Sequence, residues 1–179
     1  MFWVARVVDL WYKRHEVKSM SIVDRGTNIH AEFMHEALKE AGKSYEMGEV
    51  PVGAVIVSLD GELIARAHNE SISRNDPTAH AEILALRRAG QSLNNYRLVN
   101  TTFYVTLEPC IMCVGALIHA RVRHLIYGAK DIKAGAVDSL YDIPKDFRLN
   151  HRMEVSSGVL EEECRDIIQS FFRRLRNNQ

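Results

Sequence analysis

Two short stretches hold the residue types that bind soft metals and move protons: Asp76-Pro77-Thr78-Ala79-His80-Ala81-Glu82 and Glu108-Pro109-Cys110-Ile111-Met112-Cys113. One imidazole and two thiolates give zinc three ligands, and a catalytic zinc site keeps its fourth tetrahedral position for water. Each stretch reads as the opening turn of a helix. Asp76 suits an N-cap followed by Pro77 at the first helical position, and Pro109 repeats that role. On this reading His80 lies in a first turn, and Cys110 and Cys113, three positions apart, project from one helical face. The positive helix ends lower thiol pKa and so favour the thiolates a metal needs. Glu82, two residues past the histidine, points elsewhere on its helix and suits a proton shuttle better than a fourth ligand. The bland alternative is a buried histidine, a solvated acid and two core thiols, since cysteine is often a small buried hydrophobe. His68, His119, His124 and His151 belong to neither stretch and are expected at the surface or behind the ligands.

The elements that must carry these residues alternate. Residues 29–47 predict a first helix, because Phe33, Met34, Ala37, Leu38 and Ala41 recur every three or four positions and Gly48 follows. Residues 52–59 form a valine-rich apolar run that predicts a strand buried on both faces. Asp60-Gly61 supplies a tight turn to a hairpin partner over 62–69. Helices over 77–89 and 109–120, strands over 102–107 and 122–127, and an edge strand over 153–156 complete the core. The last helix starts near Val159, with Glu161, Glu162 and Glu163 at its positive end and Leu160, Cys164, Ile167, Ile168, Phe171 and Leu175 as its apolar face. This order predicts an α/β fold, a three-layer α/β/α sandwich around a central mixed five-stranded sheet. Residues 128–150 predict a long loop, a length usually kept for function or mobility.

The 179 residues suit one compact domain over 29–179, preceded by an extension over 1–28 with both tryptophans, Trp3 and Trp11. Residues 4–11 have helical apolar spacing, and residues 1–19 read either as a genuine extension or as sequence upstream of a translation start at Met20. Arg6 and Asp9 interrupt the apolar run, which argues against a signal peptide. Lysine plus arginine and aspartate plus glutamate number 23 each, so any attraction to nucleic acid must come from a local patch. Three cysteines, two at metal-ligand spacing, fit a reducing compartment better than a disulfide framework. No apolar run approaches the length of a membrane span.

The H-x-E…P-C-x-x-C combination is the signature of zinc-dependent base deaminases, and the mechanism read onto it is that of the class. Residues 49–55, Asn69, residues 76–82, Asn95-Tyr96-Arg97-Leu98, residues 106–113 and Asn150-His151-Arg152 together resemble the bacterial tRNA-specific adenosine deaminases, over residues 29–176. That resemblance implies a cytidine-deaminase-like fold and one zinc ion per subunit, held by His80, Cys110 and Cys113. It implies Glu82 as the catalytic acid and base for conversion of adenosine to inosine at the wobble position of a tRNA anticodon. It further implies an anticodon stem-loop as partner, a homodimer and a cytoplasmic location. Asn69 then binds the nucleoside, Asp131 and Lys133 contact flanking nucleotides, and Arg173 and Arg174 border the RNA. The sequence departs from the family at His68, where a tryptophan is common, and at Asp138, an acidic change expected to weaken phosphate contact. A deaminase of free guanine or cytosine, or of nucleosides, would use the same chemistry. A silent zinc scaffold is a third reading, against which Glu82 speaks.

Overall fold

The computed structural model describes residues 22–177, with side chains from Ile29 onward; the helix expected over residues 4–11 and the alternatives for residues 1–19 lie outside them. Helix α1 (Ile22–Glu46) begins earlier than its apolar spacing predicts and ends just before Gly48, whose φ of +77° is the left-handed conformation that closes a helix. A compact unit runs from Ala31 onward. In it β1 (Gly53–Ser58), β2 (Leu63–His68), α2 (Ala81–Ser92), β3 (Thr101–Leu107), α3 (Ile111–His119), β4 (His124–Ala129), a single 3₁₀ turn (Ile143–Lys145), β5 (Glu154–Ser157) and α4 (Glu161–Asn177) follow in order.

The sheet order is β2-β1-β3-β4-β5. β1 pairs antiparallel with β2 and β3, whereas β3–β4 and β4–β5 are parallel, so the sheet is mixed as expected, with β5 at an edge. Period-two alternation divides the core between its faces. Ala54, Ile56, Phe103, Val105, Leu125 and Tyr127 pack with Leu84 of α2 and Val114 and Leu117 of α3. Val55, Val57, Tyr104 and Ile126 pack instead with Met34 and Ala37 of α1 and Cys164 of α4. Strand β1 is therefore buried on both faces, as its unbroken valine-rich run implies.

Close approach of α4 to the sheet depends on Gly128. A Cβ there would lie 2.3 Å from the Cys164 Sγ, so Gly128→Ala would push the helix off β4. Cys164 and Phe171 are the buried residues of α4, while Leu175, read from sequence as part of the apolar face, is exposed. The consequence for chemistry lies at the other face. Strand β3 leads directly into α3, and the turn after β2 leads into α2, so the N-termini of the two helices converge.

Candidate metal centre and active site

Both helices start later than the prolines suggest. Asp76 does not cap α2; its Oδ1 accepts from the Thr78 backbone N–H at 2.8 Å and the Thr78 hydroxyl at 2.7 Å, closing a local turn. His80 is the N-cap residue of α2, with extended backbone at φ −68° and ψ 151° and no side-chain capping bond. Pro109 likewise precedes α3. Its carbonyl accepts from Ala136 N–H at 2.9 Å, and Cys110, the N-cap of α3, forms an isolated bridge with Gly135. The correction has chemical content: two of the three candidate ligands occupy N-cap positions, where an extended backbone throws the side chain forward and no capping duty competes for it.

The Cys110 and Cys113 Sγ atoms are 3.7 Å apart, and His80 Nδ1 lies 3.8 Å from Cys110 Sγ and 3.6 Å from Cys113 Sγ. Tetrahedral zinc bonds of roughly 2.3 Å to sulfur and 2.0 Å to nitrogen require edges of about 3.8 Å between sulfurs and about 3.5 Å from sulfur to nitrogen. The triangle thus has the size for zinc, and among the described residues it is the one His/Cys/Asp/Glu group with such spacing. The two thiols shift each other's pKa in opposite directions. Contact with Cys113 is the main cause holding Cys110 down to about 4, with His80 helping against burial. The same contact, then burial and Glu82, push Cys113 well up. The bond to Cys110 raises the His80 imidazole, with burial opposing.

Glu82 is 4 % exposed, and burial raises its pKa, with its own backbone N–H and His80 partly offsetting that cost. It lines a cavity of about 320 Å³ together with His80, Cys110, Asn69, Leu107 and Asp131. Asn69 is locked in place: its backbone N–H donates to Val52 O at 3.0 Å and its carbonyl accepts from Ser44 Oγ at 2.9 Å. Its Nδ2 donates to Glu49 Oε2 at 3.1 Å, and its Oδ1 accepts from Ser71 Oγ at 3.1 Å. Asp131 therefore shares the cavity with Asn69 and Glu82, but Lys133 does not. Lys133 lines a second groove, of about 380 Å³, with Phe172, Arg173 and Arg176.

Arg174 faces elsewhere. Its guanidinium sits 4.5 Å from the centre of the Tyr45 ring, and Nη2 donates to Tyr45 O at 3.3 Å. Three of the other candidate histidines are engaged away from the metal corner: His68 Nδ1 meets Glu40 Oε2 at 2.9 Å, His151 donates to Val122 O at 2.7 Å, and His124 pairs with Ser156 Oγ at 2.9 Å; His119 closes α3 at its C-terminal end. His68 is thus tied to α1 and is not among the residues lining the cavity. Asp138 likewise turns inward, accepting from Tyr127 OH at 2.6 Å, with Lys145 Nζ at 3.4 Å.

Two buried carboxylates escaped the sequence reading of the site. Glu49 is 1 % exposed and accepts from Asn69 and, at 2.7 Å, from Ser73 N–H. Glu108 is 2 % exposed and accepts from the loop that follows β4. Burial would raise its pKa, yet donation from Asp138 N–H, the Ser139 hydroxyl and Asp131 N–H brings it net below the ordinary carboxylate range. Both residues stood in recognisable stretches, but only their burial and donors reveal a role.

Residues 28–176 match the family of MafB19-like deaminases. The chain is 47 % identical over 155 residues to the tRNA-specific adenosine deaminase of Haemophilus influenzae, covering 84 % of this chain and 90 % of that one. It is similar to a structure solved in a study of A-to-I editing by tRNA:A34 deaminases at the wobble position of transfer RNA. The TM-score there is 0.73 and the identity 46 %, over 76 % of this chain and 98 % of the other. Similarity to the guanine deaminase of Bacillus subtilis is lower, with a TM-score of 0.55 and 32 % identity over 83 % of this chain and 94 % of that one.

Proposed function

Because the chain belongs to the MafB19-like deaminase family, and within it to the tRNA-specific adenosine deaminases, we infer that it converts adenosine to inosine at the wobble position of a tRNA anticodon. The observation that carries the chemistry is the zinc-sized triangle of His80, Cys110 and Cys113 opening on the cavity that holds Glu82. These three residues would hold one zinc ion, which when bound supplies Lewis-acid activation of water. Glu82 accepts the proton of the attacking water and delivers it to the ring nitrogen. A further proton transfer to the exocyclic amine lets ammonia leave, so adenosine and water become inosine and ammonia. Asn69, held on both sides by Glu49 and Ser71, orients the base.

The reacting carbon is inaccessible in a stacked loop, so the nucleotide must be splayed into the cavity while its chain continues on both sides. Asp131 at the cavity and Lys133 and Arg173 in the adjoining groove suit that path. We assign the phosphate contacts to Lys133, Arg173 and Arg176 and remove Arg174 from the RNA surface. Family resemblance supports a homodimer, which sedimentation would test. No helix among the described residues is long and apolar enough to cross a membrane. The free cysteines Cys110, Cys113 and Cys164 fit the cytoplasm, where the substrate resides.

Ammonia and inosine should be measured side by side from tRNA, free adenosine, guanine and cytosine. Inosine in the anticodon loop with little turnover of the free compounds is expected. Rapid turnover of guanine or cytosine with none of tRNA would overturn the substrate while leaving the metal chemistry in place.

A further inference from the structure

Among the described residues, Glu108 has no lysine, arginine or histidine as a hydrogen-bond partner. Its charge is instead surrounded by one loop. Oε1 accepts from the backbone N–H groups of Val137 at 3.1 Å, Asp138 at 2.8 Å and Ser139 at 2.9 Å. Oε2 accepts from Asp131 N–H at 3.1 Å and from the Ser139 hydroxyl. All five partners are donors, matching a carboxylate that only accepts and has about four lone-pair sites.

The surrounding backbone is shaped to this anion. Gly135 passes so closely that a Cβ on it would lie 2.3 Å from the Glu108 carboxyl carbon. Asp131 Oδ1 accepts from Lys133 N–H at 2.9 Å and Ala134 N–H at 3.2 Å, which folds the tip of the same loop. The bonds of Pro109 and Cys110 to Ala136 and Gly135 tie the loop to the start of α3. One side of the active cavity, comprising Asp131, Ala134 and Cys110, is therefore assembled around Glu108.

We propose that Glu108 is a positioning residue whose carboxylate clamps residues 131–139 against the metal corner, fixing the rim that receives the nucleotides next to the target base. The proposal rests on the polynucleotide substrate inferred above. It predicts which bonds fail first. In Glu108→Gln, the amide oxygen can keep the three N–H groups of Val137, Asp138 and Ser139, but the NH₂ group then faces the Asp131 N–H. The serine hydroxyl can turn to accept from the amide, whereas a backbone N–H cannot. The Asp131 end of the loop should open before the Val137–Ser139 end.

The test uses the zinc-loaded full chain in three forms: Glu108→Gln, Gly135→Ala, whose methyl enters the carboxylate's space, and Ser139→Ala, which removes one donor. Zinc content, amide hydrogen exchange, and kcat and KM for an anticodon stem-loop are compared with the unsubstituted protein. Zinc content should be unchanged. Exchange in residues 131–139 should quicken about tenfold or more, first at Asp131 in Glu108→Gln, with β3 and α2 unaltered. KM should rise about tenfold while kcat stays within about threefold. Should Glu108→Gln fail to fold, the milder Ser139→Ala decides through the same loop exchange. Loop exchange unchanged, faster exchange spread equally over β3 and α2, or a fall in kcat with KM constant would each overturn the proposal. If the unsubstituted protein leaves the stem-loop untouched, the substrate reading fails separately, and exchange still decides whether the clamp exists.

Discussion

The metal corner and the basic groove hold charge in opposite ways. In the corner, His80 and Cys110 occupy N-cap positions, Cys113 lies fully buried in the first turn of α3, and Glu82 lines the same cavity with almost no exposure. Its distances are set by two helix starts that the sheet holds together. In the groove, Lys133, Arg173 and Arg176 are exposed on a loop and on the last turns of α4. Chemistry needs atoms fixed to a fraction of an ångström in low dielectric. Phosphate attraction needs only positive charge within reach and weakens with salt. Rigid placement and exposed charge should consequently fail differently when substituted.

The largest effect is expected in the corner. Cys113→Ala removes one corner of the triangle, so the purified protein should lose its zinc and all measurable turnover, which elemental analysis and ammonia release check together. Full zinc occupancy in that variant would remove Cys113 from the ligand set. Glu82→Gln should separate binding from catalysis. Zinc and thermal stability stay, while kcat falls on the order of a hundred- to ten-thousandfold, the usual contribution of a positioned acid and base. Loss of zinc along with activity would instead make Glu82 an organiser of the site.

The groove should respond in KM. Joint reversal of Lys133 and Arg173 to glutamate should raise KM for tRNA roughly tenfold or more at low salt, with kcat little changed. Each phosphate contact removed should also flatten the dependence of log KM on log salt by about 0.7. An unchanged salt slope would show that these side chains do not meet phosphate, and the contrast with the corner would collapse.

The corner was legible in the sequence because its residue types are rare in combination and its spacing obeys helix geometry. The strands were legible because valine-rich runs such as residues 53–58 alternate cleanly between two cores. What could not be read was which groups a side chain would find across the fold. Asp76 and Pro77 carry a helix-start pattern, yet Thr78 captured the carboxylate and moved the cap to His80. Glu108 looks from sequence like any acid before a proline, because its five donors arrive from residues 131–139, more than twenty positions away. His68 and Asp138 likewise find partners, Glu40 and Tyr127, that lie far from them in sequence.

Adjacent arginines supply the smallest and sharpest test of the comparison. Arg173 and Arg174 are indistinguishable as a basic pair in sequence, but α-helical geometry turns successive side chains about 100° apart. Arg173 faces the groove, whereas Arg174 lies over the Tyr45 ring and donates to Tyr45 O in the last turn of α1. That places a cation at the negative end of a helix dipole and on an aromatic face that Phe171 supports edge-on at 5.8 Å. An exposed cation–π contact contributes about 0.5–1 kcal/mol, so Arg174→Ala should lower the melting temperature by about 1–4 °C. KM for tRNA should stay within about twofold in the same variant, since no groove contact is lost. Arg173→Ala should do the reverse, raising KM without moving the melting temperature. Arg174→Lys should recover only part of the stability, because an ammonium keeps the charge but not the plane that stacks on the ring. If Arg174→Ala raises KM as much as Arg173→Ala and leaves stability untouched, Arg174 belongs to the RNA surface and its separation from Arg173 is wrong.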